Sequence, residues 1–322
     1  MNQHTSLARR GSLLERAAEL YGFDVAPPPP VAEAPTPRAA PAEVAAPILL
    51  AEPVPAAEAP VVEAPAPPRP KRAPAPAPQG PVHAIDRRRL RDASLIEPEA
   101  PVGALAEEFR IVKRQLLLNA RAMTGVPEEK SRSILLCSAE PGEGKTFCAL
   151  NLALSIAGEP DAEVLLVDGD FAKPDVLKLL GLEAERGLVD ALADPALDPE
   201  SLVLRTDLAG LSVLPAGRQV ANVTELLASE RARDVLARLA QARPNRIILF
   251  DSPPALSASP ATVLAGYAGQ LVMVVRADRT GEAELREALE LLSGCERVSL
   301  LLNGAGFAAG GRRFGAYYGY GQ

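Results

Sequence analysis

Histidine is nearly absent from this chain, and cysteine is scarce. The 322 residues include two histidines, His4 and His83, which stand far apart, and three cysteines without CxxC spacing. Transition metals in proteins are usually bound by clusters of these side chains, so the sequence predicts no such metal site. We expect Cys137, Cys148 and Cys295 to be reduced thiols in a cytosolic protein.

The sequence also lacks a long apolar run and an excess of positive charge. No stretch approaches the roughly 20 apolar residues of a membrane-spanning helix, and Glu15, Arg16 and Glu19 interrupt what would have to be an apolar signal core. We therefore expect a cytoplasmic protein. The net charge of −7 argues against nucleic acid as a partner. The basic stretch at residues 87–91 is typical of a solvated hinge face, although an anionic membrane surface could also attract it.

Proline is concentrated near the N-terminus. Residues 26–84 consist largely of proline, alanine, glutamate and valine. Such a segment buries too little apolar surface to offset its ordering entropy, so the composition predicts a disordered, extended Pro/Ala-rich linker. Within the preceding residues 1–25, the spacing at residues 12–22 predicts a short amphipathic helix, whose apolar stripe would need a partner surface.

The segment at residues 139–146, Ala-Glu-Pro-Gly-Glu-Gly-Lys-Thr, follows an apolar strand and opens a predicted helix. Its two glycines allow a tight turn, so that successive backbone N–H groups face one point at the positive end of the helix. The lysine is expected to reach the β- and γ-phosphates of a nucleoside triphosphate, and the threonine hydroxyl to reach Mg²⁺. The candidate nucleotide-binding residues of this P-loop are Gly142, Glu143, Gly144, Lys145, Thr146 and Phe147.

Two further predicted strands end in acidic residues. Residues 164–167 lead into Asp168 and Asp170, and residues 247–250 lead into Asp251. A single aspartate at the end of a strand is often only a turn cap. Three such sites in this order, however, favour a magnesium and nucleotide site. Asp168 and Asp170 stand at alternate positions, so one could hold the metal environment while the other meets an attacking hydroxyl.

From residue 131 onward, predicted strands and helices alternate. Strands are expected at 133–138, 164–168, 211–215, 246–251, 270–275 and 298–303. Helices are expected at 104–123, 145–157, 174–180, 224–240 and 281–292. This order indicates an α/β fold with a doubly wound, mostly parallel sheet and a P-loop NTPase core, in which the nucleotide lies at the carboxyl ends of the strands. Asn303, at the end of the last strand, could contact adenine or simply belong to a turn.

The last residues are rich in tyrosine and glycine. Tyr317, Tyr318 and Tyr320 fall within the final six positions, among glycines and alanine. A flexible tail at residues 308–322 that presents phenols to solvent is typical of a kinase substrate. The alternative is an aromatic tail without a function.

Together these motifs resemble the bacterial P-loop tyrosine kinases, most closely the tyrosine autokinases associated with polysaccharide co-polymerases and exosortases. The resemblance covers about residues 104–322 together with the N-terminal helix. It rests on 139–146 as Walker A, 165–170 as the second Walker motif, 247–254 as Walker B, and the tyrosine tail. It implies an ATP- and Mg²⁺-dependent enzyme that phosphorylates its own C-terminal tyrosines, in trans between subunits.

The resemblance also implies roles for individual residues. Lys145 and Thr146 would bind phosphate and Mg²⁺. Asp168 would assist the attacking tyrosine hydroxyl, and Asp170 and Asp251 would organise the metal. Lys145, Asp168 and Asp170 are thus the candidate catalytic residues.

The segment at residues 107–113 resembles the family's ExxRxxR oligomerisation motif, with Glu107, Arg110 and Lys113 in its three positions. The implied assembly is a homo-oligomeric ring in which each tail enters the next subunit's site. The implied partner is a membrane chain-length determinant, or polysaccharide co-polymerase, which would hold the kinase at the inner membrane and link it to exopolysaccharide synthesis. Residues 85–130 would then be the oligomerisation segment, and 131–307 the kinase domain.

Two other interpretations remain open at this point. A partition or septum-positioning ATPase of the Min/Par type would carry a signature lysine where this chain has Glu140. A nucleotide-dependent adaptor that phosphorylates nothing is favoured by the short tyrosine cluster and by Ala172. That position usually holds a basic residue in the family, and here the base follows at Lys173.

Overall fold

The computed structural model describes residues 80–305. Over this range, strands and helices alternate along the chain. The strands are β1 Val82–His83, β2 Ser133–Ser138, β3 Glu163–Asp168, β4 Leu204–Thr206, β5 Leu211–Leu214, β6 Arg246–Asp251, β7 Gln270–Arg276 and β8 Val298–Asn303. The helices are α1 Arg87–Asp92, α2 Ala104–Ala122, α3 Glu128–Ser131, α4 Lys145–Ala157, α5 Val176–Leu180, α6 Leu188–Ala193, α7 Val223–Ala228, α8 Glu230–Gln241, α9 Pro260–Tyr267 and α10 Glu282–Leu291. A 3₁₀ turn covers Pro199–Leu202.

The strands of this range form one sheet in the order β1-β4-β5-β3-β6-β2-β7-β8. Neighbouring strands are parallel throughout, except that β4 runs antiparallel to β5. The predicted α/β class and the mostly parallel, doubly wound sheet are therefore confirmed. Since β2, β3 and β6 are neighbours at its centre, the P-loop and the three candidate aspartates follow the same edge of the sheet.

Apolar clusters cover both faces of the sheet. Along β2, Leu135 and Cys137 pack into one cluster while Ile134 and Leu136 pack into the other, and all four side chains are buried. This two-sided burial explains why the central strands are continuous apolar runs in the sequence rather than alternating ones.

Helix α4, which follows the P-loop, is deeply buried. Every residue from Cys148 to Ile156 in it is buried, because the sheet covers one side and α2 packs on the other through Phe109 and Leu116. The P-loop is consequently attached to a tightly packed helix. Among the described helices, none combines the length and apolar composition needed to cross a lipid bilayer.

Strands β1 and β4 are present in the structure but are not among the strands expected from the sequence. They contain two and three residues, which is too short for a periodic signal, and β1 exists by pairing Val82 with Arg205 of β4. The sheet therefore begins inside the last residues of the segment 26–84, which the sequence assigns to the linker. The rest of that linker, the helix expected at 12–22 and the tail at 308–322 lie outside the described residues.

The helix expected at 224–240 is two helices, α7 and α8, separated at Ser229. The backbone of Ser229 is extended, and its hydroxyl accepts a hydrogen bond from the Ala232 N–H at 3.2 Å. Serine is a favoured N-cap because its oxygen satisfies an otherwise unpaired N–H group of the first turn. Here the capping signal ends one helix and starts another. The short helices α6 and α9 are also absent from the expected pattern.

The basic stretch at residues 87–91 forms helix α1 and is largely paired within the chain. Arg87 makes ion pairs with Glu99 at 2.9 Å and Asp207 at 3.1 Å, and Arg91 pairs with Glu97 at 2.9 Å. The expectation of a solvated hinge face is wrong for Arg87, because acidic residues distant in sequence fold back to meet it.

Lys113 of α2 points inward and fastens α2 to the end of α4. Its side chain is 10% exposed, and its ammonium group donates to the Ser155 carbonyl at 2.9 Å and lies 2.7 Å from the Glu159 carboxylate. The hydrogen bond from Lys113 is the main reason that the pKa of Glu159 is lowered. This contact joins two helices that the sequence does not relate to each other.

We expect Lys113→Ala to lower the free energy of unfolding by about 1–3 kcal/mol, because it removes a buried charged hydrogen bond together with the packing of the lysine stem. Urea unfolding followed by circular dichroism measures the change. Lys178→Ala is the matched control, since the Lys178 side chain is 78% exposed. Equal destabilisation by the two substitutions would contradict the anchoring role of Lys113.

Candidate active site

The P-loop connects the end of β2 to the start of α4. Gly142 and Gly144 have φ angles of 79° and 96°, in the left-handed region that favours glycine. Gly144 is the N-cap of α4 and supplies no side-chain hydrogen bond to the first turn. The leading N–H groups of α4 are therefore left for another acceptor, and an anion such as a phosphate suits this position.

The side chain of Glu143 is turned into the protein rather than toward a ligand. It is 1% exposed. One carboxylate oxygen accepts the Glu140 N–H at 2.9 Å, and the other accepts the Thr280 hydroxyl. Glu143, a candidate nucleotide-binding residue, thus shapes the loop from inside. Any contact that it makes to nucleotide would have to come from its backbone.

Asn303 and Arg276 brace the P-loop from outside. The Asn303 side-chain amide donates to the Glu143 carbonyl at 2.9 Å, and the Arg276 guanidinium donates to the Gly142 carbonyl at 3.0 Å. A β-carbon added to Gly144 would lie 2.1 Å from the Asn303 amide nitrogen. These contacts show that Asn303 holds the loop in place. The adenine contact that the sequence suggests stays a prediction. Sequence reasoning did not identify Arg276, because nothing in its local pattern points to the loop.

Lys145 pairs with Asp170 across the site. The lysine ammonium lies 2.8 Å from an Asp170 oxygen, and the two side chains are 13% and 8% exposed. Lys145 comes from the start of α4, and Asp170 from the turn after β3. The structure therefore brings together a cation and an acid that are separated by 25 residues in the sequence.

Asp251 is completely buried, and its carboxylate oxygens have no hydrogen-bond partner among the described residues. Burial raises the pKa of Asp251 to about 7, although Lys145 and Thr146 both favour its ionised form. A buried carboxylate without partners is unfavourable unless a cation binds it. Asp251 is therefore well suited to a divalent cation.

The protein alone offers only a partial coordination sphere. The described range holds no group of three His, Cys, Asp or Glu side chains that could enclose a metal ion. Mg²⁺ commonly keeps several waters and takes one or two carboxylates together with phosphate oxygens. Asp251 with the nearby Thr146 hydroxyl fits that manner of binding, provided that phosphates occupy the loop.

Asp168 ends β3, and its carboxylate shapes the turn that follows. One oxygen accepts the Asp170 N–H at 3.3 Å and the other accepts the Val176 N–H at 3.2 Å. Burial, together with the negative charge of the neighbouring Asp251, raises the pKa of Asp168 to about 8.

Comparison with named relatives shows to which family this chain belongs. No family model matches. The tyrosine-protein kinase YwqD of Bacillus subtilis is 31% identical over 213 residues, which cover 66% of this chain and 86% of that protein. The chain belongs to the bacterial tyrosine-protein kinases. The predicted family and enzyme class, a protein-tyrosine kinase, are thereby confirmed.

Two further comparisons agree with this assignment. The tyrosine-protein kinase wzc of Salmonella typhimurium is 28% identical over 235 residues, which cover 72% of this chain but only 31% of that protein. The crystal structure of the chimerical protein CapA2B2 superposes with a TM-score of 0.56 at 25% identity, covering 69% of this chain and 93% of that one. The chain thus spans less than a third of the longer relative.

The remaining candidate residues of this kinase lie apart from the acidic centre. Phe147 packs with the apolar cluster beneath α2. On α2 itself, Glu107 and Arg110 form an ion pair at 2.5 Å on the surface, whereas Lys113 is buried. Only two of the three motif positions are thus available to another subunit. The three tail tyrosines lie outside the described residues.

The buried aspartates predict how stability depends on pH. Because the pKa values of Asp168 and Asp251 are raised to about 8 and about 7, the folded protein keeps protons that the unfolded chain releases above about pH 4. Without nucleotide and Mg²⁺, the free energy of unfolding should therefore fall as the pH rises from about 5 to 8.

Asp251→Asn removes one of these buried acids, so it should raise the Tm of the ligand-free protein at pH 8 by several degrees and by a clearly smaller amount at pH 5. Differential scanning calorimetry measures both values. Asp161→Asn is the control, because Asp161 is exposed. If the Tm of Asp251→Asn depended on pH as the wild-type Tm does, the pKa of Asp251 would not be raised in the folded protein.

Proposed function

We propose that this chain is an ATP- and Mg²⁺-dependent tyrosine autokinase that phosphorylates Tyr317, Tyr318 and Tyr320 of a neighbouring copy. The observation that carries the proposal is the completely buried carboxylate of Asp251. Its oxygens make no hydrogen bond within the described range, while Lys145, Thr146 and an uncapped helix start lie nearby. Such a site is incomplete until phosphates and a divalent cation enter it.

Each side of the site has its own task in holding the substrate. The loop N–H groups and Lys145 bind the β- and γ-phosphates, and Thr146, Asp170 and Asp251 face the Mg²⁺ position. Bound Mg²⁺ neutralises phosphate charge and orients the γ-phosphate for in-line transfer. When phosphates enter, Lys145 can exchange its pairing with Asp170 for the nucleotide, which leaves Asp170 for the metal.

In the reaction, the acceptor phenol oxygen forms a bond to the γ-phosphorus while the bond from that phosphorus to the oxygen of ADP breaks. The phenol proton passes to Asp168. A group that accepts a proton near neutral pH is best suited to general-base catalysis, and burial together with Asp251 raises the pKa of Asp168 to about 8. The burial and the neighbouring acid that disfavour the charged form of Asp168 thus also strengthen its affinity for the phenol proton.

The transfer takes place between subunits of a homo-oligomer. The paired side chains of Glu107 and Arg110 lie on the outer side of α2, and Lys113 holds that helix in place from within. This division of labour supports α2 as an assembly surface. The motif resemblance described for residues 107–113 supports the same conclusion.

The kinase acts together with a membrane chain-length determinant of the polysaccharide co-polymerase type, which holds it at the inner membrane. Phosphorylation of the tail loosens the oligomer and thereby regulates exopolysaccharide synthesis and export. The support for this cellular role is the family and the resemblance to autokinases of polysaccharide loci.

We expect Asp168→Asn to retain most nucleotide binding but to reduce phosphotransfer by about 10²–10⁴-fold, the usual contribution of a general base. Purified full-length protein is incubated with Mg²⁺ and labelled ATP, and phosphate is mapped by mass spectrometry. Binding of a fluorescent ATP analogue is measured in parallel. Equal phosphotransfer by Asp168→Asn and the wild type would remove Asp168 from its assigned role.

Lys145→Met is the control for that experiment, because it should abolish both nucleotide binding and label on the tail. Vigorous ATP turnover by the wild type, with all three tail tyrosines unmodified, would contradict the kinase proposal. That outcome would favour a nucleotide switch of the Min/Par type or an adaptor.

We expect Arg110→Ala to shift the protein toward smaller assemblies, because it breaks the exposed ion pair with Glu107 on the assembly surface. Light scattering at matched concentration measures the mass. Arg114→Ala on the same helix is the control, since Arg114 is also exposed. An unchanged mass for Arg110→Ala would argue against this surface.

A further inference from the structure

A cavity of about 500 Å³ opens beside the acidic centre and is not used by the nucleotide site described above. Its walls are mainly apolar, and none of its lining residues carries a charge. A volume of this size falls in the range of about 300–1,000 Å³ typical of small-ligand sites. The residues that matter most here are Phe171, Ala172, Gln219, Val220, Pro253 and Pro260.

Two walls of this cavity continue the strands that supply the site aspartates. Phe171 follows Asp170 directly, and Pro253 comes two residues after Asp251. Phe171 is 8% exposed, and Pro253 is buried. The cavity therefore lies at the carboxyl end of the sheet, next to the position where a γ-phosphate would face Asp168.

The third wall is the segment 219–223, whose first end is fixed by Arg218. The buried carboxylate of Asp190 accepts hydrogen bonds from the Arg218 backbone N–H at 3.3 Å and from its guanidinium. The other end of the segment enters α7 at Val223. Val220 between them is 38% exposed despite its size and apolar character, so its side chain is available to a ligand.

We propose that this cavity is the subsite for the aromatic ring of the acceptor tyrosine. The proposal rests on the kinase function proposed above and specifies which tyrosines the kinase would accept. A phenol needs apolar walls around its ring and an open polar end for its hydroxyl. Phe171, Val220 and Pro253 supply such walls, and since Phe171 directly follows Asp170 and Pro253 lies two residues after Asp251, the subsite would deliver the hydroxyl toward the aspartates.

The chemistry of the walls also defines which tyrosines are accepted. With no charged lining residue, the subsite offers no partner to an acidic or basic neighbour of the tyrosine, and burying an unpaired charge there would be unfavourable. Ala172 at the mouth adds no charge either. The neighbours of Tyr317, Tyr318 and Tyr320 are one another, glycine and alanine. The substrate class is therefore a tyrosine flanked by small or uncharged residues.

The test uses a full-length enzyme in which the three tail tyrosines are replaced by serine, so that its own tail cannot compete. The acceptor is a synthetic peptide with the sequence of residues 312–322. Val220→Asp should raise the KM for this peptide about tenfold, because it places a charge in the ring subsite, while the KM for ATP changes less than about twofold.

Val126→Asp is the matched control, since Val126 is a similarly exposed valine, 41% against 38%, outside the cavity. It should leave both constants unchanged. An unaltered peptide KM in Val220→Asp would overturn the subsite. Equal losses for peptide and ATP would overturn it as well, because they would indicate a general disturbance of the site.

A binding measurement separates this proposal from the kinase proposal. Fluorescence anisotropy of the labelled peptide should show binding to the serine-tailed enzyme that Val220→Asp weakens about tenfold. If Val220→Asp weakens peptide binding while no tyrosine is ever phosphorylated, the cavity is a binding site for the tyrosine tail and the kinase function fails. If the peptide is phosphorylated but Val220→Asp binds it normally, the kinase stands and the subsite fails.

A second peptide tests the substrate class. Replacing the glycine that corresponds to Gly319 by aspartate should lower kcat/KM about tenfold, since the neutral walls cannot compensate the added charge. Introducing Ala172→Lys should recover much of that loss. Equal use of both peptides by the enzyme without this change would contradict the selectivity.

Discussion

The organisation of the site depends on one buried carboxylate that the protein does not satisfy by itself. Asp251 lies at the end of a central strand, wholly out of solvent, with both oxygens unpaired within the described range. Its burial raises its own pKa and contributes to the raised pKa of Asp168. The nearby lysine compensates only part of this charge. The fold therefore carries an electrostatic cost that a bound cation would relieve.

The rigid surroundings make this cost tolerable. Helix α4 is buried on all sides of its central part, and the P-loop is held by contacts from Arg276, Thr280 and Asn303. A loosely held loop could relax around Asp251 and satisfy it with backbone groups. Because this loop is held in place, the carboxylate stays without a hydrogen-bond partner within the described range. Preorganisation of this kind is what makes electrostatic stabilisation effective in catalysis.

Much of the centre of the fold follows from sequence. The strands β2, β3 and β6 are continuous apolar runs because both of their faces are buried, and the P-loop and the aspartates have fixed places after them. What the sequence does not reveal depends on contacts between distant residues. The inward turn of Lys113, the Asn303 brace and the pairing of Arg87 each join segments that have no common local pattern.

Asn303 stands at the junction between the nucleotide loop and the C-terminal residues. It is the last residue of β8, and its amide holds the carbonyl of Glu143. The chain leaves the sheet immediately afterwards through Gly304, whose φ is 66°. The residue that ends the sheet is thus in direct contact with the phosphate loop, beside Arg276, its neighbour in the sheet, which holds the Gly142 carbonyl.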